Sequence, residues 1–498
     1  MVNRITYRKP RVGLYSMGLK AYWAQFEGLR ERLIGYGAFI EQKLMELGAE
    51  VVNFGLVDDA ERGHEAGRFF AEADVDLVFA HAATYVTSAS VLPVHQICRA
   101  KPVILNLQPA VQINYEKTTT GEWLAHCGAC PTPELVNALE RSGIDAVVIN
   151  GLLGLEKTPG ISLADEVSAH RPEAIRAWRK IAEWLAAAKV KRNLRGARFG
   201  FLGNTYSGML DLYSDFTMLQ AQTGIHADIL EMCDVAAELD AVTDEEVFSK
   251  RTEMLAFFTL SETEAADPIA RKPTEEQLDW SARVAVALDK LVEKRGLDAL
   301  AYYYHGAPDS PYEKLQAGFI VGHSLLTARG IPCAGEGDMK TCIAMKICDI
   351  LQAGGSYCEI VVTDYEEGTI LLGHDGPFHL EIAREKPILR GMGLYHGKQG
   401  TGVSVEAKVK QGPITTVGLT QLHHGRLKLI TSDALSTDGP IMTIGNTQTA
   451  VKFKDDPDTY MDRWFAEGLT HHFAMAVGHL SSVIAKAGVL MNIETVEV

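Results

Sequence analysis

Between residues 10 and about 340 the chain alternates short apolar runs with helix-length segments, and that alternation leaves few architectures open. The runs RVGLYS (11–16), AEVVNFG (49–55), VDLVFAHA (75–82), KPVILNL (101–107) and DAVVING (145–151) are apolar almost throughout. Strands covered on both faces read this way. Strands joined one after another by helices run parallel in a sheet flanked by those helices. Residues 27–47 read as one such helix, closed by Gly48, and 170–196 as a long one with a basic, glycine-ended finish.

A second alternating set follows: RFGFLGN (198–204), HADILEM (226–232), LDALAYYYHG (297–306) and IPCAGEGD (331–338). Thr274 and Gln277 form a capping box, and Leu278, Ala282, Ala285, Leu288 and Val292 are the buried stripe of the helix it opens, which ends at Gly296. Residues 315–329 and about 339–353 also read as helices. Beyond them the pattern shifts to period two with turn residues, which reads as antiparallel β. The last forty residues read as helical around MDRWFAEGLTHHFAMAVGHLSSVIAKAG. The expected fold class is α/β: two Rossmann-like parallel-sheet domains followed by a C-terminal antiparallel, barrel-like β-rich domain. The expected domains are 1–195, 196–350 and 351–498.

The net charge is −16, which argues against nucleic acid or an anionic membrane as the main partner, since both require basic surface. The start of the chain has no long apolar segment, so a cytoplasmic location is expected. Eight cysteines in such a chain are expected to be reduced thiols, Cys127 and Cys130 included. The segments SMGLKAYW and GFLGNTYSG lack the G-x-G-x-x-G spacing, which disfavours a nucleotide-dependent oxidoreductase.

Functional chemistry concentrates in a few acidic and imidazole groups. Glu336 stands between two glycines where a strand hands over to a helix, with Asp338 placed to cap that helix. Glu359 follows at the expected start of the first strand of the β-rich part, then His374 in LLGHDG, then His471 and His472 in THHFA. Two carboxylates and one or two imidazoles without a thiolate suit a divalent cation such as Mn²⁺, Co²⁺ or Mg²⁺. Tyr22, Tyr206 and His305 fall in expected strand-end loops, where they could meet a bound substrate.

The chain resembles the L-arabinose isomerase and L-fucose isomerase group of aldose–ketose isomerases. AGEGDMKT (334–341) is similar to that group's AGEGDWKT, LLGHDG to its LGSHM segment, LTHHFAM to its AHH segment and WLAHCGAC to its QTAHGG segment. The resemblance implies Glu336 and Glu359 as metal ligands and acid/base groups, His374 and His472 as further ligands, and His126 as a sugar contact. It also implies a monosaccharide substrate, an enediol route and a homo-oligomer, a hexamer or similar, with shared active sites. The group's first substrate loop, GSQHLYG, is replaced here by YSMGLKAYW, so the sugar is open. Alternatives on the same residues are a lyase or epimerase acting on a modified sugar, and a non-catalytic sugar-binding protein.

Overall fold

The computed structural model describes residues 4–262, 269–307, 309–392 and 401–498. The chain forms two compact units, Arg8–Arg192 and residues 4–7 together with Asn193–Val498.

In the first unit the apolar runs become β1 (Arg11–Met17), β2 (Glu50–Val57), β3 (Leu77–His81), β4 (Lys101–Gln108) and β5 (Val147–Leu152). All pair in parallel, in the order β2-β1-β3-β4-β5. Tyr15, Val78, Ala80 and Ile104 pack with Phe70 and Val94 of the flanking helices in one apolar core. The long helix Pro172–Leu194 carries the chain out of this unit.

The second unit starts with β6 (Arg198–Gly203) and β7 (His226–Leu230), followed by the two-residue strands β8 (Thr259–Leu260) and β9 (Ala270–Arg271). The helix Glu275–Arg295 has the expected Thr274–Gln277 capping box, and it ends on Gly296 in the left-handed region. The strands β10 (Ala299–Tyr303) and β11 (Cys333–Ala334) complete a parallel sheet ordered β11-β10-β6-β7. Strand order reverses between β6 and β10. The loops leaving the carboxyl ends of β6, β10 and β11 therefore open on one crevice, the usual place for a ligand in such sheets.

The β-rich part contains β12 (Gly354–Asp364), β13 (Thr369–His374), β14 (Ile388–Met392), β15 (Val403–Glu406), β16 (Gly412–Gln421), β17 (Leu427–Ser436), β18 (Thr447–Lys452), β19 (Phe473–Val477) and β20 (Glu494–Glu497). Six of these close an antiparallel barrel in the order β16-β19-β12-β13-β18-β17, with β17 pairing back to β16 and β20 added in parallel to β17. β14 and β15 instead form a small sheet with β8 and β9.

The sequence reading needs two adjustments here. The first barrel strand starts at Gly354, so Glu359 lies in its middle rather than at its start. The stretch read as helical around residues 461–488 contains a strand, β19, between the helices Pro457–Ala466 and Ser481–Met491. β19 is flanked on both sides by barrel neighbours and is apolar at every position, so it shows no period-two signal. Among the described residues no helix is long and apolar enough to cross a membrane.

The helix Met339–Ile350 joins the two halves of this unit. It packs on β10 and β11 and on β12, β16 and β19, and every one of its residues is buried. Its two lysines are buried with their amines occupied. The Lys340 ammonium donates to the Leu212 carbonyl at 3.0 Å and to Ser214 Oγ at 2.9 Å, and Lys346 donates to the carbonyls of Asp298 and Gly330 at 3.0 and 2.8 Å. A buried charge satisfied this way fixes the segments it binds, since losing its partners would leave it stranded at low dielectric.

Candidate metal centre

The acidic residue between two glycines takes an unusual backbone conformation. Glu336 has φ 58° and ψ 12°, in a 3-10 turn over Gly335–Gly337 directly after β11. A side-chain-bearing residue there costs about 1–2 kcal/mol, so neighbouring contacts must hold it. The Tyr206 amide donates to the Glu336 carbonyl at 3.0 Å. Gly337 follows with φ 72°, and a Cβ on it would lie 2.4 Å from the Asn204 carbonyl oxygen. Gly337→Ala is therefore expected to lower stability by about 1–3 kcal/mol in denaturant unfolding and to displace the Glu336 turn. An unchanged unfolding midpoint would show that the turn tolerates a side chain. Asp338 is fully buried and caps the central helix, accepting from the Thr341 amide at 3.0 Å and its hydroxyl at 2.7 Å.

The barrel supplies the rest. Glu359 in β12 stands opposite Gly373 in β13, and Cys358 stands opposite Phe473 in β19. This register brings Glu359 in β12, His374 at the end of β13 and His472, one residue before β19, to one level. Donor atoms of these three lie within 4.8 Å of one another, and so do those of Glu336, His471 and His472. Glu336 ties the two groups together: Oε1 is 3.9 Å from His374 Nε2, and Oε2 is 3.7 Å from His472 Nε2. His471 lies at the edge of the second group, with Nδ1 held 2.6 Å from Asp211 Oδ2.

Electrostatics follow from burial and from two further carboxylates. Burial pushes the Glu336 carboxyl up to about 7, opposed by His374 and reinforced by Asp375 and Glu359. Burial pulls the His374 imidazolium down, but Asp375, 2.8 Å from Nδ1, together with Glu359 and Glu336 more than offsets it and the pKa rises to about 9. Burial holds His472 down at about 4 against the opposing pull of Asp338.

The donor set fits a divalent cation. Glu336 Oε2 and His472 Nε2 are buried and have no hydrogen-bond partner among the described residues. Their 3.7 Å separation is too long for a hydrogen bond. Two ligands that each sit at ~2.1 Å from one ion are about 3.0–4.2 Å apart, depending on the angle between them. A cavity of about 220 Å³ opens on Glu336 and His374, lined also by Tyr206, Tyr303, Asp375 and Met392.

The remaining sequence candidates are distributed differently. Tyr206 lines the cavity and stacks on Tyr303 with ring centroids 4.7 Å apart. His305 lies beside it, 5.9 Å from the Tyr206 ring, but lines a separate depression with Asn204 and Ser207. Tyr22 and His126 belong to the first unit. There Tyr22 packs edge-on against Phe26, and His126 Nδ1 is 2.9 Å from the Glu122 carbonyl oxygen.

No protein-family model matches the chain. It is similar to L-arabinose isomerase from Escherichia coli (strain K12), with 23% identity over 306 residues, 59% of this chain and 58% of that protein. It is likewise similar to the L-arabinose isomerase of Enterobacter sp. (strain 638), with 23% identity over 310 residues and 59% of each chain. The chain thus resembles L-arabinose isomerases in sequence, at low identity. The match spans somewhat under three-fifths of the length of these curated relatives.

Three residues that the sequence reading did not assign to the site shape this centre. Asp375 sets the charge of His374. Asp338, expected only as a helix cap, also lies 3.2 Å from His472 Nδ1. Tyr357 places its hydroxyl 2.6 Å from the same nitrogen. Tyr357 had a legible signal, since it is two residues before Glu359 on one strand and so shares its face. Asp338 had none, because its partner is 134 residues away.

Proposed function

We propose that the protein is a metal-dependent aldose–ketose isomerase acting on a pentose or hexose by intramolecular proton transfer through an enediol. The observation that carries this reading is the buried approach of Glu336 Oε2 to His472 Nε2, both without partners, beside a cavity that also exposes His374. Glu336, Glu359, His374 and His472 would hold the ion, with Mn²⁺ the best match and Co²⁺ or Mg²⁺ alternatives. The ion would polarise the neighbouring carbonyl and hydroxyl oxygens of the sugar. One of Glu336 and Glu359 takes the proton from C2 of the aldose and returns it to C1, while the other moves the hydroxyl proton from O2 to O1. The stacked Tyr206 and Tyr303 wall off one side of the cavity and offer an aromatic face to the sugar's C–H groups.

A panel of aldoses and ketoses, assayed for ketose formation with Mn²⁺ added or chelated, tests the reading. Failure of every sugar in the presence of Mn²⁺ refutes it. The proposal includes a homo-oligomer in which His126 of one copy serves a neighbour's site. His126→Ala and Glu336→Gln proteins, each inactive alone, should regain measurable turnover when their subunits are exchanged. No recovery after verified exchange would remove the shared-site component.

A further inference from the structure

We infer that Tyr357 is a positioning residue for His472: its hydroxyl, beside the acceptor-only Asp338, holds Nδ1–H and the aim of the imidazole and thereby sets the affinity of the centre for a divalent cation. The inference rests on the metal-centre reading above.

His472 is fully buried, so its ring nitrogens depend on protein partners. Two oxygens surround Nδ1: Tyr357 Oη at 2.6 Å and Asp338 Oδ2 at 3.2 Å. Asp338 already accepts from Thr341 twice, as an ionised carboxylate does, and such a group can only accept. The hydroxyl hydrogen of Tyr357 has its own acceptor, the Gly335 carbonyl oxygen at 3.3 Å. One assignment satisfies every group: Nδ1–H donates to both oxygens, and Tyr357 donates to Gly335. Nε2 then carries the lone pair, and it faces Glu336. Outer groups that fix a ligating histidine in this way matter for metal affinity as the ligands themselves do.

The placement of Tyr357 adds a second effect. Gly335 precedes Glu336, so a single hydroxyl links the loop bearing one ligand to the ring of another. The Tyr357 ring also lies 4.7 Å from the His374 ring and 4.5 Å from that of His472. Tyr357→Phe keeps this wedge and deletes only the hydroxyl, which separates positioning from packing.

The test is Mn²⁺ titration of the full chain by calorimetry. Tyr357→Phe should weaken Mn²⁺ binding by about tenfold or more while leaving the metal-free melting temperature unchanged. In a His472→Ala background the same change should have no further effect on Mn²⁺ binding. Wild-type affinity in Tyr357→Phe, or the same loss persisting without His472, overturns the inference while leaving the metal reading intact. A wild-type protein that binds no Mn²⁺ overturns both. A second readout needs neither metal nor variant: ¹⁵N-histidine spectra of the metal-free protein should show His472 protonated at Nδ1. The Nε2–H tautomer there overturns the inference even if Tyr357→Phe does not fold.

Discussion

Glu336→Gln and Glu359→Gln are each expected to reduce ketose formation by about 10²–10⁴-fold, the usual worth of a positioned proton-transfer group, and to weaken the metal as well. Both changes conserve shape, so the loss should be chemical. Glu336 Oε2 has no hydrogen-bond partner among the described residues, and the turn around it is held by backbone contacts to Tyr206 and by Gly337, none of which uses the carboxylate. Glu359 is only half-buried, and its strand keeps its pairing with β13 and β19 whatever the side chain. Circular dichroism and the melting temperature of both variants should match the parent. Near-normal turnover in both variants would end the assignment of proton transfer to these carboxylates.

The second large effect is on metal affinity as a function of pH. An ion displaces the protons of its ligands. Glu336 is raised to about 7 by burial, and His374 to about 9 by Asp375 against burial. His472, held down at about 4, is already neutral at physiological pH. Both raised groups favour the protonated form, so acid opposes binding and alkali promotes it. Below about pH 7 two protons leave per ion, and affinity should rise roughly 100-fold per pH unit; between about 7 and 9 one leaves, giving roughly tenfold per unit. Mn²⁺ titrations at several pH values, with proton release measured in buffers of different ionisation enthalpy, give the slope directly. An affinity that does not vary between about pH 6 and 8 would show that the protons assigned to Glu336 and His374 are not displaced.

The parallel sheets were legible in the sequence because their strands are buried on both faces, so RVGLYS and KPVILNL show as unbroken apolar runs. The Thr274–Gln277 box and the Asp338 cap were legible because capping is local chemistry. β19 was not, since a short, uniformly apolar strand lying between helices has no polar alternation to mark it, and its alanines and methionine suit a helix equally well. The positions of Glu336, Glu359, His374 and His472 could be listed from the sequence, but their meeting depends on pairings such as Cys358 with Phe473, over 100 residues apart. The same distance hid the contact of Tyr357 with His472. Asp211 and Lys340, which tie the loop after β6 to His471 and to the central helix, also escaped, because their partners lie more than 100 residues away.

The six strands of the barrel close on themselves, so those carrying Glu359, His374 and His472 offer no free edge from which to peel. Demetallation by a chelator should thus be reversible at ambient temperature, with the amides of β12 among the last to exchange in deuterated water. A spectroscopically active ion could then be loaded into an intact shell, and its colour would report directly on the ligand field the barrel imposes.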